Sequence, residues 1–134
     1  MSVFVDSSGL YALIDASTAE HEAAAAEWAQ LRDQATPLRT HSYVIIETAV
    51  LVQRRLGMTA AADLHRKVVP ILSVRFVDRD LHHTATTALL AAGRRKVSLV
   101  DWTSFELMRA ENLSEAFAFD NDFAEQGFTL RPAS

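Results

Sequence analysis

The chain has no cysteine. That excludes a disulfide framework and any thiolate metal site, and it fits a reducing compartment. No apolar run reaches membrane-spanning length. The N-terminus lacks a basic region followed by a long apolar stretch, so no signal peptide is expected and the expected location is cytoplasmic. Internal repeats, linkers and low-complexity segments are also missing. The histidines form no metal motif. His82 and His83 are adjacent, so on a helix they diverge by about a hundred degrees, and His21, His41 and His65 stand alone. Excess positive charge is missing too. The formal net charge of −4 argues against a protein that holds nucleic acid by bulk electrostatics. An acidic site, however, lowers net charge without removing basic patches elsewhere.

What is there reads as one globular unit. The 134 residues suffice for a single domain, expected to span residues 1–134, and are too few for two ordinary ones. Apolar residues make up 49% of the chain, which sets it apart from disordered sequences.

The organising stretch is Val3-Phe4-Val5-Asp6-Ser7-Ser8. An unbroken apolar run reads as a strand covered on both faces, as in a parallel sheet. Asp6 then lies at the carboxyl end of that strand, the edge where open parallel sheets bind ligands. Equally, Asp6 or Ser7 can simply cap the helix that follows. Ser17 and Glu20 have capping-box spacing and predict a helix through Leu31. Its alanine block suits either packing on the domain or a partner groove. Residues 38–40 suggest a second strand.

A helix is predicted over residues 42–56, with Gly57 as its stop. Its middle is apolar nearly all round, as expected of a largely buried helix, and Glu47 is the one charge there. A carboxylate in such a place is expensive unless it is half exposed, paired, or holding a cation. Arg54 and Arg55 complement the helix dipole. Thr59 can cap a further helix to about residue 69, ended by Pro70. Residues 71–77 read as a strand. Asp78 and Asp80 offer caps for a helix over residues 81–92, closed by Gly93.

Arg94, Arg95 and Lys96 form the densest basic cluster. Such a run is either solvated surface or a patch that contacts RNA phosphates. Asp101 precedes a helix expected over residues 102–111 and can serve as its cap. Ala116-Phe117-Ala118-Phe119 reads as a strand ending at Asp120, with Asp122 two residues on. A last edge strand is expected near residues 128–130. Strands alternating with helices predict an α/β fold with a mainly parallel sheet.

Asp6 and Asp120 each end an apolar strand, Asp101 opens a helix, and Glu47 interrupts a buried one. Carboxyl ends of parallel strands and amino ends of the following helices lie on one side of a sheet, so these acids are expected in one cleft. Converging carboxylates repel one another, which implies a bound cation or a protonated member. Oxygen-only ligation suits Mg²⁺ or Mn²⁺. Such ions can orient and ionise a water and stabilise the oxyanions of a phosphodiester under attack.

The stretches VFVDSSGLYALID, YVIIETAVLV with its glutamate, SLVDWTSFELMRAENL and AFAFDNDF resemble the successive motifs of the PIN-domain family, and within it the VapC-type toxins of bacterial toxin–antitoxin pairs. The resemblance runs from about Val3 to Leu130 with the motifs in order. It implies a three-layer α/β/α fold and a Mg²⁺-dependent endoribonuclease, with Mn²⁺ as a substitute. It places Asp6 and Asp101 as direct metal ligands, and Glu47 and Asp120 as completing the site directly or through water. Ser8 and Thr103 fall where the family carries a supporting hydroxyl, and Asp122 is a possible substitute for Asp120. The resemblance further implies an RNA substrate, a homodimer, and inhibition by a small antitoxin that reaches the acidic pocket.

Three other readings are weaker. Aspartate-nucleophile phosphatases need a second acid two residues after the first, and that position is Ser8 here. A receiver domain needs paired acids after the first strand and a lysine near the end, whereas the last lysine here is Lys96. A non-catalytic RNA- or protein-binding module that keeps the pocket would be marked by a missing acid, and none is missing.

Overall fold

Five short strands alternate with seven helices in the computed structural model, which describes residues 1–133. The strands are β1 (Val3–Val5), β2 (Leu38–His41), β3 (Ser73–Arg75), β4 (Glu115–Phe117) and β5 (Thr129–Arg131). They form one sheet of order β3-β2-β1-β4-β5, with every neighbouring pair parallel. The helices are α1 (Ser7–Ile14), α2 (His21–Asp33), α3 (Ser42–Leu56), α4 (Met58–Asp63), α5 (Arg79–Ala92), α6 (Leu99–Ala110) and α7 (Asp122–Glu125). Connections between parallel strands are right-handed. The chain steps one way from β1 to β3 and the other way from β3 to β5. That rule therefore puts α1–α4 on one face and α5–α7 on the other. The helix contacts agree: α1 packs on α2 and α3, α3 on α4, and α5 on α6. The result is a three-layer α/β/α sandwich.

All three residues of β1 are buried, as a central strand covered on both faces requires. Phe4 stacks toward His41 and Phe123, and Phe105 meets Phe123 edge-on. This aromatic seam joins the sheet to α6 and α7. His41 is buried between β2 and α6. Its Nδ1 accepts the Val44 N–H that opens α3, and its Nε2 lies 2.9 Å from the Ser104 hydroxyl. Burial pushes the imidazole down to about 4, so it is neutral at physiological pH. At the sheet's far edge Arg131 pairs with Glu27 at 2.9 Å and Glu115 at 2.7 Å, tying α2 to β4 and β5.

Several local expectations change. Ser17 and Glu20 form no capping box: the Ser17 hydroxyl and N–H both turn back to Asp15, at 2.6 and 3.0 Å, and α2 begins at His21 without a side-chain cap. The helix expected from Thr59 starts at Met58 and widens into a π-turn over Leu64–Val68 before a 3₁₀ turn that contains Pro70. The strand expected over residues 71–77 keeps only its centre. Asp78, not Asp80, caps α5, accepting the Leu81 N–H at 2.8 Å. Helix α3 is not buried all round, because Ile46 and Val50 are 60% and 48% exposed.

The sheet order sets the place for a site. From β1 the chain moves outward through β2 and β3, then crosses back to β4 on the other flank of β1. The order reverses between β1 and β4, and at such a point the carboxyl ends of the strands open a crevice. Helix α1 also passes unusually close to β4. A Cβ on Gly9 would lie 2.5 Å from the Phe117 carbonyl oxygen.

Candidate active site

The crevice is a cleft of about 450 Å³ lined by Asp6, Glu47, Asp101 and Asp120. Each acid arrives on a different element. Asp6 follows β1 and is the N-cap of α1. The capping and cleft readings of Asp6 are therefore compatible, because the residue caps α1 and also lines the cleft. Its Oδ2 accepts the Ser8 N–H at 3.1 Å and the Ser8 hydroxyl at 2.6 Å. Its Oδ1 is buried with no hydrogen-bond partner. A buried carboxylate oxygen left unpaired is costly. Desolvation accordingly raises the Asp6 carboxyl to about 7, against the opposing pull of Ser8, and the charges of Asp101 and Glu47 raise it further.

Glu47 lies in the second turn of α3, half-buried, and accepts a hydrogen bond from the Ser7 hydroxyl. Asp101 lies inside α6 and is not the residue that starts it. Ser98 is the N-cap, and Asp101 closes a capping box by accepting the Ser98 N–H at 3.1 Å while Ser98 accepts the Asp101 N–H at 3.2 Å. Burial raises the Asp101 carboxyl to about 6, and the charge of Asp120 adds to the effect. Asp120 comes three residues after the end of β4, and its Oδ1 accepts the Asp122 N–H at 2.9 Å. Of Asp120 and Asp122, Asp120 lines the cleft, and Asp122 stands beside it. Asp101, Asp120 and Asp122 each present a carboxylate oxygen within 4.8 Å of the other two. Asp122, at the start of α7, has its carboxyl raised by burial and then by Asp120.

The remaining expected residues divide. Ser8 bridges Asp6 to β4's loop, because its hydroxyl also accepts the Phe119 N–H at 3.0 Å. Thr103 is not brought to the acids. It is buried on α6 and its hydroxyl donates to the Leu99 carbonyl at 2.8 Å. Arg94, Arg95 and Lys96 sit exposed on the α5–α6 connection, where Arg94 pairs with Glu125 at 3.4 Å. Arg55, read from the sequence as a charge complementing the helix dipole, also lines the cleft. Its spacing of four from Leu51 and eight from Glu47 carried the signal.

The donor set fits a hard divalent cation. Carboxylate oxygens converge without a neutralising cation in ion-pair contact among the described residues, and one buried oxygen, Asp6 Oδ1, lacks a partner.

Comparison with known proteins agrees with this architecture. The profile of the family described as PIN domain matches residues 3–128. The chain is 36% identical over 132 residues to the 23S rRNA-specific endonuclease VapC20 of Mycobacterium tuberculosis, covering 97% of this chain and 98% of that protein. The crystal structure of that VapC20, described as a sarcin–ricin loop cleaving toxin, superposes with a TM-score of 0.82, covering 96% of this chain and 97% of the other. FitAcB from Neisseria gonorrhoeae shares the fold at a TM-score of 0.67 and 11% identity, covering 96% of this chain and 95% of that one. A profile match over nearly the whole length, together with a full-length relative at this identity, shows that the chain belongs to the PIN domain family.

Proposed function

We propose that the protein is a Mg²⁺-dependent endoribonuclease, with residues 1–134 acting as one domain, and that its substrate class is the sarcin–ricin loop of 23S rRNA, as described for its relative VapC20. The observation that carries the reading is the convergence of Asp6, Glu47, Asp101 and Asp120 on one cleft, with Asp6 Oδ1 buried and unpaired.

In this reading Asp6 and Asp101 hold the ion, and Glu47, Asp120 and Asp122 complete the site. A bound Mg²⁺ or Mn²⁺ supplies water activation and charge stabilisation for phosphodiester cleavage. Ser8 fixes the rotamer of Asp6 through its Oδ2, which leaves Oδ1 without a protein partner. Ser7 holds Glu47, and Ser98 holds the backbone frame of Asp101. Asp6, Glu47 and Asp101 are thus each oriented by a neighbour that spends its own hydrogen bond on it, which limits reorganisation during the reaction. Arg94, Arg95 and Lys96 contribute through phosphates. The cell context is a cytoplasmic toxin restrained by a small antitoxin. The exposed apolar residues Ile46 and Phe76, which line one groove, support assembly with a second copy of the chain. No helix among the described residues is long and apolar enough to cross a membrane.

The test is cleavage of a sarcin–ricin stem–loop oligoribonucleotide by the parent and by Asp101→Asn, each with Mg²⁺ and with EDTA. Cleavage by the parent in Mg²⁺ alone is the expected result. Equal cleavage in EDTA, or by the variant, overturns it. RNA binding without cleavage by the parent would make the chain a non-catalytic module.

A further inference from the structure

We propose that Arg55 grips an RNA phosphate beside the one being cleaved, which makes it a substrate-binding residue of the cleft; the proposal rests on the nuclease reading above. Glu47, Leu51 and Arg55 follow one another every four residues on α3, so they form one ridge of the helix. All three line the cleft. Arg55 lies about 12 Å along the helix axis from Glu47. It is therefore placed for a neighbouring phosphate and not for the reacting one.

Charge makes the placement consequential. The cleft lining includes the carboxylates of Asp6, Glu20, Glu47, Asp101 and Asp120, and Arg55 is its one cation. A polyanionic strand entering such a cleft meets repulsion from the side chains, and the Arg55 guanidinium is the side chain of the lining that offsets it. The side chain is also prepared for the task. Its guanidinium carbon lies over the Tyr11 ring, 5.5 Å from the centroid, and the Tyr11 hydroxyl donates to Asp15 at 2.7 Å, which holds that ring in place. A guanidinium held against a ring is restrained in position while its remaining N–H donors stay free for a phosphate. Among the described residues Arg55 has no ion-pair partner and its polar neighbour is the Tyr11 hydroxyl, so no carboxylate competes with a phosphate for its fork. The ordinary role of a basic residue at a helix C-terminus does not account for this. Arg54 serves the dipole equally well and does not line the cleft.

That neighbour supplies the control. Parent, Arg55→Gln, Arg55→Lys and Arg54→Gln are compared in two assays, after melting curves confirm that each variant folds. The first is steady-state cleavage of the sarcin–ricin stem–loop oligoribonucleotide. Loss of one charge-assisted contact should raise KM roughly tenfold for Arg55→Gln, with kcat near the parent's. Arg55→Lys should fall between, since it keeps the charge and loses the fork. Arg54→Gln should match the parent. The second is fluorescence anisotropy of the same labelled RNA in EDTA across a salt series. The slope of log K against log salt should fall by about 0.7 for Arg55→Gln, the value of one single-stranded phosphate. Uncharged methylphosphonates introduced one at a time should impair the parent at one position and add nothing there in Arg55→Gln. An Arg55→Gln protein with the parent's KM and salt slope overturns the proposal, and so does an equal effect from Arg54→Gln. A parent that cuts no RNA sinks the nuclease reading instead, and the anisotropy series still decides on Arg55.

Discussion

The hydroxyl of Ser8 holds Asp6 by its Oδ2 at 2.6 Å and, on its other side, accepts the Phe119 N–H at 3.0 Å. One small side chain thereby couples the end of β1 to the loop that carries Asp120. Removing it as Ser8→Ala leaves Asp6 held by the residue-8 N–H alone and leaves the Phe119 N–H without its partner. The expected loss is about 1–3 kcal/mol of stability, with a fall of roughly 10–100-fold in metal affinity or cleavage, as for other residues that orient a ligand. Chemical denaturation and a Mg²⁺ titration of the purified variant check both. A Ser8→Ala protein with unchanged metal affinity would mean that α1 alone orients Asp6.

Gly9 permits the close approach that Ser8 exploits. An added Cβ would meet the Phe117 carbonyl oxygen at 2.5 Å and the Phe117 ring at 2.6 Å, and both atoms belong to the central layer. Gly9→Ala should therefore cost about 1–3 kcal/mol, as overpacking does, despite alanine's better helix propensity. Gly93→Ala, where no atom lies within 4 Å, is the comparison: its penalty comes only from a φ of 63°. Cleavage should fall in Gly9→Ala, whose shift acts at the cleft, and persist in Gly93→Ala.

The titration of the acids gives a signed pH dependence. Asp6 is raised to about 7 and Asp101 to about 6, from ordinary values of 3.8. Both bind a proton more tightly folded than unfolded. Their contribution to stability is thus full below about 4 and is lost as pH rises through 6 and 7. His41 runs the other way: lowered to about 4, it contributes fully above 6.5 and loses that contribution as pH falls toward 4. The clean measurement is a difference. In EDTA, Asp6→Asn should gain in Tm over the parent as pH is raised from about 5 to about 8. Saturating Mg²⁺ should favour the parent at the upper end. A difference that does not vary with pH would mean that Asp6 does not hold its proton into this range.

The basic connection between α5 and α6 should contribute unequally. Arg94 already faces Glu125 at 3.4 Å, while Arg95 and Lys96 form no ion pair among the described residues. Neutralising Arg95 and Lys96 together should reduce the salt slope of RNA binding by about 1.4, two single-stranded phosphates, and Arg94→Gln should add little. An unchanged slope in the double variant would return the cluster to solvated surface.

Local chemistry was readable in the chain wherever cause and effect are a few residues apart. Val3-Phe4-Val5 declared a central strand, Gly57 and Gly93 marked helix ends, and Asp78 found the Leu81 N–H three residues on. It failed at Ser17, where the nearer Asp15 competed for the same hydroxyl. The four spaced acids pointed to a shared cleft because parallel strands present their carboxyl ends on one side. Everything that depended on which faces meet was decided by the tertiary structure. Thr103 and Ser8 look alike in sequence, yet the first turns into its own helix and the second ties Asp6 to the loop after β4. Asp120 and Asp122 read as alternatives, and the loop after β4 folds both toward Asp101. Ile46 and Val50 read as core but face outward, since an apolar helix does not state how much of it a neighbour covers. Arg55 read as a helix-end charge, and only the packing of α3 beside α1 puts it over Tyr11 and into the cleft. Spacing along the chain determines what a residue can offer. The long-range packing of elements determines what it meets, because pairings between distant segments leave no local signature.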